Sequence, residues 1–170
     1  MRDRGRPVAA HTYLIALGSN RRSRQGSPAA TVRAAAAAIG AVRLSTVRAT
    51  PALGPAGRSF ANAAAIIHSD FDPPELLARL KAVERAFGRR FGRRWGPRPI
   101  DLDIILWSAG AWEDPGLVVP HPEFRRRRFV LEPLVELAPA FRDPLTGASL
   151  RQLLHRLQRR RAVDRDARRT

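Results

Sequence analysis

The elements predicted along the chain run β-α-β-β-α-β, with a helical extension at the C-terminal end. That order places the protein among α+β sandwiches of the ferredoxin-like type, an antiparallel sheet with helices packed on it. Three observations predict it. Apolar runs of strand length begin near Thr12, Phe60 and Asp101, each bounded by turn or loop residues. Two stretches between them, Pro28 to Ala38 and Asp72 to Phe87, carry helix-forming composition and helix punctuation. No internal repeat or linker divides the chain, so residues 12–157 are expected to form one domain, with residues 1–11 and 158–170 as flexible basic tails.

The elements follow in order. Thr12 to Leu17 (TYLIAL) reads as a short buried strand, ended by Gly18, Ser19 and Asn20. Pro28 to Ala38 is alanine-rich and helix-prone, and Gly40 stops it. Val42 to Ala49 alternates in part, with Val42, Leu44 and Thr46 set against Arg43, Ser45 and Val47, and reads as a strand. Thr50 to Gly57 is a loop by its Pro and Gly content. The alanines of Phe60 to His68 would suit a helix, but its place between two loops favours a strand. Asp72 is a good N-cap, with Pro73 at the first helical position and Glu75 in the first turn. Leu76, Leu77, Leu80, Val83, Ala86 and Phe87 then recur at helical spacing until Gly88. Gly88 to Pro99 is an Arg/Gly/Pro loop, Asp101 to Trp107 a strand, and Trp112 to Val119 a turn with a short strand. Arg127 to Leu137 reads as a helix that Pro133 kinks or starts later, and Leu150 to Leu157 as a last short helix.

Composition limits the function classes. The chain has 170 residues, 44% of them hydrophobic, enough for an ordinary core. It has no cysteine, which excludes disulfides and Cys-ligated zinc. No apolar run reaches transmembrane length, and the basic start is not followed by a signal core, so a cytoplasmic protein with no membrane partner is expected. The formal charge of +16 invites a nucleic-acid reading. Against it, Lys81 is the only lysine, a usage that a GC-rich genome explains as readily as a selected function. The arginine clusters at 21–24 and 159–161 read as solvated faces; those at 89–98 and 125–128 sit beside motifs.

The segment Arg94 to Trp107 (RWGPRPIDLDIILW) carries the most chemistry. Strand side chains alternate, so Asp101 and Asp103 share one face while Leu102, Ile104 and Leu106 take the other. Paired carboxylates with arginines just upstream are the parts that hold Mg²⁺ and a polyphosphate together. A surface ion pair or N-cap is the plainer use of two aspartates.

Taken with Leu14 to Asn20 (LIALGSN), Thr50 to Pro55 (TPALGP), Phe60 to Ala63, Val119 to Pro122 (VPHP), Arg127 to Leu131 and Pro133-Leu134, this segment resembles the 6-hydroxymethyl-7,8-dihydropterin pyrophosphokinases of folate biosynthesis, over roughly residues 12–155. The resemblance implies transfer of the diphosphate of ATP to the pterin hydroxymethyl group, releasing AMP, with two Mg²⁺ ions and ATP as co-substrate. It implies that Asp101 and Asp103 bind the metal. Arg98 would act at the phosphates, Arg89 and Arg94 from a mobile loop, and His121 and Arg127 as a later ATP-binding pair. Arginine's forked donors suit phosphate oxygens. The catalytic set is therefore Arg89, Arg98, Asp101 and Asp103. His121 is favoured as a neutral imidazole donor.

The pterin would meet Thr50, Leu53, Phe60, Asn62, Trp95 and Phe129. Phe60 and Phe129 would sandwich the ring and Asn62 would read its amide-like edge; the alternative for both phenylalanines is core packing. Glu84, on the inward side of its helix, would orient Arg89 or bind substrate. Relatives commonly carry arginine where Phe91 stands, which leaves that contact to Arg90 or removes it. No nucleic-acid partner and a monomer are expected. The competing readings are an RNA-binding sheet, which lacks the aromatic-basic signature it would need, and a degenerate family member.

Overall fold

The computed structural model describes residues 10–50, 60–88 and 99–167. The first strand, β1 (His11–Ser19), leads through α1 (Pro28–Ala38) to the short strands β2 (Arg43–Leu44) and β3 (Arg48–Thr50). Next come β4 (Phe60–Ser69), α2 (Pro73–Ala86) and β5 (Asp101–Trp107). A small hairpin of β6 (Trp112–Asp114) and β7 (Leu117–Val119), a single 3-10 turn at Phe124–Arg126, α3 (Arg128–Leu137) and α4 (Leu150–Ala167) complete the chain.

The sheet is antiparallel, in the order β2-β4-β1-β5, with β3 also on β4. Two apolar clusters lie on its two faces. On the first face, Tyr13, Ile15 and Leu17 of β1, Ala61 to Ile67 at alternate positions of β4, and Leu102 and Ile104 of β5 meet Val32 and Ala35 of α1 and Leu76 and Leu80 of α2. On the second, Leu14, Ala64 and Ile66 meet Phe124, Val130, Leu131 and Leu134, with Leu150 and Leu153 of α4 behind. The alanines of β4 are thus strand residues buried on both faces. Their helix propensity yields to packing between two layers.

Local chemistry accounts for the ends of α2. Asp72 accepts from the Glu75 N–H (3.0 Å) and Glu75 accepts from the Asp72 N–H (3.2 Å), a reciprocal capping box. At the other end Gly88 sits at φ +93°, where a side chain would be strained.

Five expectations need correcting. The strand read over Val42 to Ala49 is two strands. At Ser45 the N–H donates to the Ala64 carbonyl (2.9 Å) while Ser45 Oγ takes the Ala64 N–H (2.9 Å), so a side chain replaces the backbone acceptor and the ladder breaks. Leu106 does not share a face with Leu102 and Ile104. The β1–β5 register shifts between Leu14 and Ile15, leaving Ile105 as the extra residue, and Leu106 turns into the second cluster with it. Pro133 lies inside α3, which starts one residue later than expected at Arg128 and runs through it. Finally, α4 continues to Ala167, beyond Leu157, through arginines, glutamine and alanine that favour helix, and His11 already belongs to β1.

Among the described residues no helix is long and apolar enough to cross a membrane.

Candidate active site

The register of the sheet builds the site. Gly18 pairs with Asn62 on β4 and with Asp101 on β5. The three lie in one row across the sheet, on the second face by alternation from Leu14, Ala16 and Ala64. Asp103 lies two residues along β5, opposite Ala16. With strands about 4.8 Å apart, the backbones at Asn62 and Asp101 stand roughly 10 Å from each other across this row. Between them Gly18 offers no side chain, and a Cβ there would come within 3.3 Å of Asn62 Oδ1.

The acid pair is electrostatically loaded. Burial, and next the Asp101 carboxylate, push the Asp103 carboxyl up; Lys81, His121 and Arg127 pull it down without cancelling the rise. Two like charges held together in a half-buried place call for a cation. Among the described residues no group of three or more His, Cys, Asp and Glu gathers, so the protein offers two carboxylates. That donor set suits Mg²⁺, which keeps several waters and binds phosphate oxygens alongside one or two carboxylates.

The turn after β7 brings His121 and Arg127 within electrostatic reach of Asp103. The Val119–Pro120 peptide is cis, and the His121 N–H donates to the Ile105 carbonyl (3.0 Å), which ties the turn to β5. The Glu123 N–H donates to His121 Nδ1 (3.2 Å). With Nδ1 accepting this bond, a neutral ring would carry its proton on Nε2. Arg127 is the N-cap of α3 and makes no side-chain capping bond.

Phe60 and Phe129 are 41% and 42% exposed. Core phenylalanines would be covered, so plain packing does not account for either. Phe60 opens β4 on the same face as Asn62, which is 8% exposed, and Phe129 lies in the first turn of α3, the helix packed against β4. Thr50 pairs with Phe60 in β3. The expected roles of Leu53, Arg89, Arg94, Trp95 and Arg98 fall outside the described residues.

Glu84 is fully buried, on the inward side as expected, but its partners here were not foreseen: it accepts from Lys81 Nζ (2.8 Å) and from the Leu102 N–H (2.8 Å), the amide between the two aspartates, while Arg89 falls outside the described residues. Its helix thus grips the strand that carries the acids. The signal available was the sole lysine one turn before an inward-facing glutamate.

An acid pair within electrostatic reach of an imidazole and an arginine, on the same sheet face as a buried amide and an exposed phenyl ring, suits group transfer between an anionic and a flat heteroaromatic substrate. The comparisons agree. The family 7,8-dihydro-6-hydroxymethylpterin-pyrophosphokinase (HPPK) matches residues 14–139. A 2-amino-4-hydroxy-6-hydroxymethyldihydropteridine pyrophosphokinase of Synechocystis sp. is 36% identical over 89% of this chain and 78% of its own length. One of Methylorubrum extorquens is 37% identical over 84% and 91%. The solved Plasmodium falciparum HPPK-DHPS, wild type, superposes at a TM-score of 0.65 with 12% identity, over 86% of this chain and 41% of that one, a likeness of fold alone. The chain belongs to the 7,8-dihydro-6-hydroxymethylpterin-pyrophosphokinase family. It is an ATP-dependent pyrophosphokinase of folate biosynthesis.

Proposed function

We propose that the two sides of the Asn62–Gly18–Asp101 row divide the work of one transfer. The pterin lies toward Asn62 with its ring between Phe60 and Phe129, and the triphosphate of ATP lies toward Asp101 and Asp103. The hydroxymethyl oxygen attacks the β-phosphorus. The bond from that phosphorus to the oxygen bridging it to the α-phosphorus breaks, AMP leaves with the bond's electron pair, and the hydroxyl proton passes to solvent. The single observation that carries this reading is the register that sets the amide and the acids on one face, one glycine strand apart.

Asp101 and Asp103 would hold Mg²⁺, two ions by family resemblance, and the metal's contribution when bound is charge neutralisation on the phosphates. His121 would donate Nε2–H to a phosphate oxygen, and Arg127 would add fixed positive charge. Arg89, Arg94 and Arg98, with Leu53 and Trp95, are proposed on the resemblance alone, as is Thr50. The strand order and alternating directions support the ferredoxin-like reading, with the second strand of that pattern split into β2 and β3 and the segment after β5 as its helical extension.

Incubation with ATP, Mg²⁺ and 6-hydroxymethyl-7,8-dihydropterin is expected to give AMP and the pterin diphosphate. Asp103→Asn should lower turnover by at least about a hundredfold. The ligand-free protein should melt no lower than wild type, since the ionised carboxylate is disfavoured by its surroundings there. AMP formation at the wild-type rate in this variant would refute the metal assignment.

A further inference from the structure

The four consecutive arginines 125–128 have four different surroundings. Arg128 pairs with Glu132 on the helix surface (2.6 Å), Arg126 is exposed, and the charge of Arg127 is felt at Asp103. Arg125 is bound instead to the loop after α3. Its guanidinium lies 4.7 Å from the centre of the Phe124 ring, and its fork closes on Asp143, Nε on Oδ2 and Nη2 on Oδ1, each at 2.7 Å.

Asp143 is fully buried in the loop between α3 and α4. Thr146 Oγ1 (2.6 Å) and the Leu145 N–H (3.2 Å) also donate to its carboxylate, so both oxygens are twice satisfied. Burial alone would raise its pKa, but the hydrogen bonds and the Arg125 charge hold it below the usual carboxylate range. The loop is itself braced: the Asp143 N–H donates to the Ala148 carbonyl (3.0 Å), and the Gly147 N–H to the Asp143 carbonyl (2.8 Å).

The short turn from His121 to Arg127 is therefore fixed at three points. The His121 N–H holds it to β5, the fully buried Phe124 sinks it into the second cluster, and Arg125 bolts it to the 143 loop. The main-chain bond and the apolar plug set the place of the turn, and the bidentate ion pair adds a fixed orientation at Arg125.

We propose that Arg125 and Asp143 are positioning residues for the ATP half of the site: by fixing the rotation of the 121–127 turn they aim His121 and Arg127 at the triphosphate. This rests on the ATP-binding reading of His121 and Arg127. The pair touches no substrate. The pterin half is built on β4 and on Phe129, whose helix has its own anchors in Val130, Leu131 and Leu134.

The test measures binding of a non-hydrolysable ATP analogue with Mg²⁺ and, separately, of the pterin, well below each variant's melting temperature. Arg125→Met should weaken the ATP analogue about tenfold and the pterin less than about twofold. Arg125→Lys keeps the charge and one donor, and should show the same split at smaller size even if the Met variant folds poorly. In an Arg127→Ala/His121→Ala background, Arg125→Lys should cost the ATP analogue little more, because the effect runs through those two side chains. Equal losses for both ligands, a fully additive loss in that background, or lowered melting with both affinities intact would each overturn the proposal and leave a merely structural ion pair. If Arg127→Ala/His121→Ala leaves ATP binding unchanged, the ATP-binding reading itself fails, an outcome separable from the others.

Discussion

Gly18 shows how much of the site depends on an atom that is missing. Its neighbours in the row are an amide and a carboxylate on adjacent strands, and a methyl between them would stand 3.3 Å from Asn62 Oδ1. The amide would have to give by a few tenths of an ångström, and in the proposed site its direction is what would read the pterin edge. Gly18→Ala should raise the KM for the pterin about fivefold, an overpacking cost of about 1 kcal/mol. The KM for ATP should change less than about twofold, since the close contact of a Cβ at Gly18 is with Asn62. Steady-state kinetics with each substrate varied in turn check this; a larger effect on ATP than on pterin would contradict the division of the row. In the sequence Asp101 and Asp103 stood out as a pair and Asn62 by resemblance, and Gly18 only as the end of the first strand within LIALGSN. Their alignment was not legible there, because register is set by which strands pair, and a single chain does not state that.

Among the elements, α3 does two jobs. Val130, Leu131 and Leu134 anchor it in the second cluster, while Phe129, beside them in sequence, stays 42% exposed. An unanchored ring on a well-anchored helix can lose its side chain at little cost to the fold. Phe129→Ala should therefore weaken pterin binding about tenfold, leave ATP binding within about twofold, and shift the melting temperature little. A large drop in melting with equal loss of both ligands would make Phe129 a packing residue after all.

The long elements were readable for different reasons: α2 by its N-cap and apolar stripe, α1 by its alanines, β1 and β5 by apolar runs of strand length, and β4 only by its place between two loops. What could not be read came from tertiary substitutions. Ser45 Oγ taking the Ala64 N–H splits a strand, and the shift at Leu14/Ile15 turns Leu106 to the other face; neither leaves a mark in local composition. The Arg125–Asp143 pair joins residues 18 positions apart, with nothing in either segment that names the other.

At the scale of the whole molecule, the two clusters are closed by buried titratable groups of opposite behaviour. On the first face Tyr13 is fully buried and donates to the Phe71 carbonyl (2.6 Å). Burial, with Asp72 and Glu75 adding to it, pushes its hydroxyl up to about 12. A raised pKa means that the folded state holds its proton longer than the unfolded chain, which releases it near pH 10. Stability from this group is therefore whole below about pH 10 and is lost as pH rises through about 12.

On the second face Asp143 is lowered, so its contribution is whole above the unfolded carboxylate value of about 3.9 and is lost as pH falls through its folded value. Stability should thus form a plateau with two separately assigned edges. In urea titrations across pH, Tyr13→Phe should flatten the alkaline edge and leave the acid edge in place. Asp143→Asn should lower the plateau, since it leaves Arg125 short of its partner, and make the acid edge shallower. An alkaline edge unchanged in Tyr13→Phe would assign that loss to other groups, and an acid edge equally steep in Asp143→Asn would remove the ion pair from the acid response.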